Sequence, residues 1–327
     1  MRNGDENNAD QSRFKSYGVV TSMYDGELDT RVADLGPGQI QNLVTFGDSY
    51  TDVVNPGDGS VSWPTYAALY GNFTLFPFAH GGASCSKSLT PLPFESLDPY
   101  LFEVQLPQYL AEKANGPLHS VDADETMYTL WIGTNDIGAN ALLTGEAEPN
   151  VTVVDTVTCA MEFLVTLYHN GARNLIFQNV SAPRNQGRPL SATRLELTRY
   201  VLGLQLAPLQ RTVLYSADSY PNKYWDAVRN TTAWNVAMTE LVASTNEIAK
   251  LMVQALPSTL LGAHIGFFDS HKLFNDVLAN PGAYLNGTAP INLVTPIKSC
   301  VFALNQNTSE TGNCTTVTGA AVDSYMW

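Results

Sequence analysis

The sequence predicts an α/β fold: a three-layer α/β/α sandwich on a mostly parallel five-stranded sheet. From residue 41 onward, short apolar runs alternate with longer amphipathic stretches, the signature of repeated β-α-β units with right-handed crossovers. Most of these runs end in a Gly-containing turn, as strands do where they feed helices. The 327 residues are 44% apolar and 15% charged, enough to bury a large core.

Residues 1–40 mix charge, Gly and Asn without periodicity and are expected to form a loose segment ahead of a domain spanning 41–327. Strands are expected at 42–46, 75–78, 126–132, 174–179 and 264–268. The clearest helix is 151–170, where Val154, Val157, Met161, Leu164, Val165 and Tyr168 recur at three and four residue steps before Gly171. A second runs over about 232–256, with Leu241, Ile248, Leu251 and Met252 as its apolar stripe. Stretches 203–230 and 280–327, rich in Pro, Asn, Thr and Tyr, read as excursions from the core.

Lys and Arg total 17 against 31 Asp and Glu, so the formal charge of −14 repels polyanions and excludes nucleic acid as a natural partner. No run of 18 apolar residues occurs, so no membrane span is expected. The four cysteines lack CxxC spacing and lie near no His pair, which favours two disulfides over a zinc site. Cys300 and Cys314 bracket a Thr/Asn/Ser-rich loop and pair naturally, leaving Cys85 for Cys159; the alternative is four buried thiols in a cytosolic protein.

Seven Asn-x-Ser/Thr sequons, at Asn72, Asn150, Asn179, Asn230, Asn286, Asn307 and Asn313, favour a secreted glycoprotein. The first eighteen residues are polar and acidic and carry no apolar signal-peptide segment. Tyr215, Tyr220, Tyr224, Trp225 and Trp234 fit either a sugar-stacking cleft or core. Gly-x-Ser-x-Gly, phosphate-loop and dinucleotide fingerprints are absent from the sequence, and no metal or organic cofactor is implied. Oligomeric state leaves no mark.

In open α/β sheets ligands bind beyond the carboxyl ends of strands. After the first strand comes Gly47-Asp48-Ser49, after the second Gly81-Gly82-Ala83, and after the third Gly133-Thr134-Asn135-Asp136. A Ser hydroxyl on a tight strand-to-helix turn is exposed for nucleophilic attack, which makes Ser49 the candidate nucleophile. A Gly backbone N–H and an Asn amide can be fixed in advance to receive an oxyanion, and Gly82 and Asn135 fit those parts.

The segments VTFGDSYTD, FAHGGAS and LWIGTNDIG, in that order, resemble the first three sequence blocks of the SGNH (GDSL-type) hydrolases. FFDSHKLFNDVLANP resembles a segment of fungal and plant members, so the likeness covers about 41–327, and its general look is that of fungal carbohydrate acetylesterases. The resemblance implies an ester hydrolase with Ser49 as nucleophile and Gly82 and Asn135 completing the oxyanion hole. It further implies a small ester or acetylated carbohydrate as substrate.

The family's fourth block, an Asp three residues before a catalytic His, has no counterpart. The residues three before His80, His119, His169, His264 and His271 are Pro77, Gly116, Thr166, Leu261 and Phe268. The chain is therefore expected to lack that C-terminal block and to turn over esters weakly. His271 with Asp269, two residues before it, is the lesser candidate for general base. Two other readings remain: a glycan- or lipid-binding relative that has lost its base, and a lysophospholipase or thioesterase on the same scaffold.

Overall fold

The computed structural model describes residues 39–55, 61–93, 99–179, 206–306 and 312–327. Of the segment expected to be loose, 1–38 lies outside them. The first strand, β1 (Asn42–Gly47), is buried at every residue after Asn42, as befits a strand covered on both faces. Its Phe46 packs against Phe78, Tyr109 and Phe163, with ring centroids 5.0–5.5 Å away. Helix α1 (Trp63–Gly71) follows with Pro64 in its first turn and ends on Asn72 at φ 55, in the left-handed region.

Then come β2 (Thr74–Pro77), a π-helical turn (Leu101–Gln105) running into α2 (Leu106–Asn115), β3 (Thr126–Trp131) and the single-turn α3 (Thr134–Ile137). Helix α4 (Val153–His169) opens with a capping box between Thr152 and Asp155. Strand β4 (Asn174–Asn179) is followed by α5 (Thr231–Ala255), whose N-cap Asn230 accepts the Ala233 amide. Strand β5 (His264–Asp269) leads directly into α6 (Ser270–Ala279). An antiparallel hairpin, β6 (Lys298–Val301) and β7 (Asn313–Thr316), stands apart from the main sheet.

The five main strands are all parallel, in the order β2-β1-β3-β4-β5, as the alternating pattern predicts. The chain leaves β1 for the β2 edge and returns past β1 to β3, so the strand order reverses between β1 and β3. The crevice at such a switch point is where open α/β sheets bind ligands.

Both expected helices are present, and each expected stripe packs on the core except at one residue. Val154 is 46% and Leu251 64% exposed. In α4 the buried row runs through Val157, Ala160, Met161, Leu164 and Leu167, and Val154 sits on the first turn outside it. In α5 it runs through Met238, Val242, Thr245, Asn246, Ala249 and Val253. Hydropathy alone rejects Thr245 and Asn246 from a core face; here the Asn246 side chain accepts the buried Leu206 amide. Two disulfides, Cys85–Cys159 and Cys300–Cys314, match the expected pairing.

Candidate active site

Gly47 ends β1 at φ +139, and a Cβ there would collide with the Trp131 carbonyl of β3, so only Gly lets the two strands close above the sheet. The chain then turns tightly: the Thr51 and Asp52 amides donate to the Asp48 carbonyl at 2.9 and 3.0 Å, and the Tyr50 amide to the Asp48 carboxylate at 3.0 Å. Ser49 stands half-exposed on this turn.

The segment after β2 is drawn to the same point. The His80 amide donates to the Gly47 carbonyl at 3.1 Å, and the Gly81 amide to Asp52 Oδ2 at 2.7 Å. A Cβ on Gly81 would lie 3.8 Å from that of Ser49. The other Asp52 oxygen receives the Val54 and Asn55 amides, so one buried carboxylate ties the two loops together.

From the third side, Asn135 Nδ2 donates to the Ala83 carbonyl at 2.7 Å, and Asp136 Oδ1 accepts the Cys85 amide at 2.9 Å. Cys85 is further held to α4 by its disulfide. The turns bearing Ser49, Gly82 and Asn135 thus meet at the carboxyl ends of β1, β2 and β3. Among the described residues neither the Ser49 nor the Gly82 backbone amide has a hydrogen-bond acceptor. An Asn amide carries two N–H donors, and only one of Asn135's is taken.

Two carboxyl groups lie buried under this assembly. Burial pushes Asp48 up to about 7, aided by the charge of Asp136 and opposed by the hydrogen bond from the Tyr50 amide. Burial also lifts Asp136 to about 7, against the Cys85 amide that donates to its carboxyl.

Among the described residues, no His ring is hydrogen-bonded to Ser49. The His80 ring turns to Gln108, His119 to the Lys113 carbonyl and His264 to Asn174. His271 opens α6 and its Nδ1 faces Asn246 Nδ2 at 3.4 Å; burial lowers its pKa. It stands at the end of β5, three strand spacings, or roughly 14 Å, across the sheet from β1. The Asp269 side chain lies outside the described atoms.

Three of the aromatic residues at 215–234, namely Tyr215, Trp225 and Trp234, pack on one another. Trp234 packs on Tyr215 and Trp225, with the Arg229 guanidinium over its ring, and of the five only Tyr224 is exposed. Tyr215 reaches the site from below: its hydroxyl accepts the Ala139 amide at 3.1 Å, and a Cβ on Gly138 would collide with that hydroxyl.

Sequence reasoning missed the supports of these loops, namely Asp48, Asp52, Asp136 and the buried Gln105. The three acids sit inside the motifs themselves, and the apolar strands that run into those motifs were the available signal. Gln105 offered only a polar residue in an apolar run, LFEVQLPQYL.

Residues 43–288 match the family model of the GDSL-like lipase/acylhydrolases. An acetylesterase from Hypocrea jecorina is 25% identical over 319 residues, covering 87% of this chain and 82% of that protein. Among solved structures, an acetylxylan esterase from Geobacillus stearothermophilus aligns over 76% of this chain and 85% of its own, at 13% identity and a TM-score of 0.31.

Proposed function

Because the chain belongs to the GDSL-like lipase/acylhydrolase family, and so is a carboxylic ester hydrolase, we propose that it removes acetyl groups from carbohydrate esters through an acyl-enzyme on Ser49. The observation that supports this reading is that the turns bearing three unused donors, the Ser49 and Gly82 amides and the second N–H of Asn135, meet at the carboxyl ends of β1, β2 and β3. The acetyl preference rests on the resemblance to an acetylesterase.

In this reaction Ser49 Oγ attacks the ester carbonyl carbon and gives its proton to a base. The carbonyl oxygen becomes an oxyanion, received by the three donors. Collapse breaks the bond to the alcohol, which leaves with a proton, and water then cleaves the acetyl-serine by the same steps. Buried Asp48 and Asp136 bear on the hole electrostatically. A carboxylate beneath a developing oxyanion opposes it, and the raised pKa values leave both acids largely neutral below pH 7, where they are silent.

The protein is read as acting outside the cell. Its two disulfides and the exposed sequons Asn72, Asn150, Asn230, Asn286 and Asn313 support this.

Ser49→Ala is expected to abolish acetyl-ester hydrolysis and covalent labelling by a fluorophosphonate while the protein still folds. Retained turnover would overturn the nucleophile; wild-type protein that binds glycan but is never labelled would point to a binding relative. With no His ring on Ser49, the 327 residues should turn over aryl acetates slowly, and His271→Ala should leave that rate unchanged. Robust hydrolysis lost in His271→Ala would instead make His271 the base.

A further inference from the structure

Gln105 closes the π-helical turn ahead of α2 and is wholly buried. A buried carboxamide needs partners for its oxygen and both N–H groups. Here they are found around a single glycine. Oε1 accepts the Gly47 amide at 3.0 Å, and Nε2 donates to the Gly47 carbonyl at 2.8 Å and the Pro99 carbonyl at 3.1 Å.

Both partners lead to the site. The Gly47 carbonyl also receives the His80 amide, two residues ahead of Gly82, and Gly47 itself is two residues ahead of Ser49. Pro99 stands 4.0 Å from where a Cβ of Gly82 would be. One side chain therefore grips the peptide from which the nucleophile turn departs and braces the loop that carries the facing amide.

Resting on the Ser49 reading above, we propose that Gln105 is a positioning residue, which sets the separation between the Ser49 hydroxyl and the Gly82 amide without touching substrate. An apolar residue of the same size would leave the Gly47 amide buried and unpaired. Gly47 could then shift by a fraction of an ångström, and acyl transfer is sensitive to displacements of that order.

Gln105→Glu makes the proposal testable, because it keeps the shape and makes the donor depend on a proton. In that variant an ionised carboxylate still accepts the Gly47 amide, but its second oxygen faces the Gly47 and Pro99 carbonyls and repels them. The protonated acid donates again to one of the two. The titratable groups around this position are Asp48, next to Gly47, and Tyr109, one turn along α2. Glu103 on the same turn faces Ser86 and the Lys87 amide, and the His80 ring is turned to Gln108.

Wild type, Gln105→Glu and Gln105→Met are compared as full chains between about pH 5 and about pH 9, the span in which a buried Glu titrates. The readouts are kcat and KM on an aryl acetate, the rate of Ser49 labelling by a fluorophosphonate, and a thermal melt. Relative to wild type, Gln105→Glu should lose about 10- to 100-fold in kcat and labelling rate on the alkaline side, recovering on the acid side, with KM little changed. Gln105→Met should be depressed at every pH.

A Gln105→Glu variant that tracks wild type at all pH values overturns the proposal, as does an effect confined to KM. If Gln105→Met does not fold, the Gln105→Glu profile decides alone. A Gln105→Glu variant unfolded even when protonated also counts against it, since the neutral acid has the required shape and donor. Failure of the Ser49 reading shows separately, as wild-type turnover that survives Ser49→Ala.

Discussion

In the proposed reading Asn135 divides one amide between two tasks. One N–H holds the Ala83 carbonyl, and the other would receive the reacting oxygen. Asn135→Ala should therefore lower kcat about 10²- to 10³-fold, as loss of one oxyanion donor does, with KM nearly unchanged. The freed Ala83 carbonyl should also cost stability, by about 1 kcal/mol. Steady-state kinetics beside a denaturant melt check both, and an effect on KM alone would assign Asn135 to substrate binding. The placing of Ser49, Gly82 and Asn135 beyond the ends of β1, β2 and β3 was legible in the sequence because each follows a short apolar run that reads as a strand. Gln105 was not, since its partners Gly47 and Pro99 are defined only by the fold, and neither spacing nor hydropathy marks a side chain that bonds a peptide 58 residues away.

At the scale of elements, the two disulfides serve different needs. The β6–β7 hairpin is largely exposed, and an isolated two-stranded hairpin is marginal in water, so Cys300–Cys314 substitutes for a core. Cys85–Cys159 closes a much longer loop, of sequence separation 74, and fastens the segment after Gly82 to α4. Replacing Cys300 and Cys314 by Ser should cost about 3 kcal/mol, and replacing Cys85 and Cys159 about 4 kcal/mol with a fall in kcat as well. Equal kinetics in the two double variants would show that α4 does not hold the site. The strands were legible to within about a residue, since parallel strands covered on both faces are continuous apolar runs. The helix faces were less so. Asn246 lies on the buried side of α5 because the Leu206 amide must be satisfied there, a demand that comes from outside the helix.

For the whole molecule, the buried Asp48 and Asp136 set a dependence of stability on pH. Both pKa values are raised to about 7 on folding, so the native state holds more protons than the unfolded chain between about pH 4 and about pH 7. Stability from these groups is full below the ordinary Asp range and is lost as pH rises through 7. Self-repulsion within a chain of charge −14 runs the same way, while His271, whose pKa is lowered, opposes it below the usual His range. The melting temperature should be higher near about pH 5 than near about pH 8, and Asp136→Asn should flatten the difference. A melting temperature that climbs with pH across that interval would mean the two carboxyls are ionised in the native state. The Tyr215 hydroxyl under Ala139 has a consequence for design. The 206–230 excursion is an obvious segment to exchange when seeking new specificity, yet it carries the phenol that props the loop behind Asn135. A Cβ on Gly138 would also meet the Thr134 carbonyl at 2.7 Å, so residue 138 stays glycine whatever is grafted, and a graft that swaps the excursion must itself bring an acceptor for the Ala139 amide.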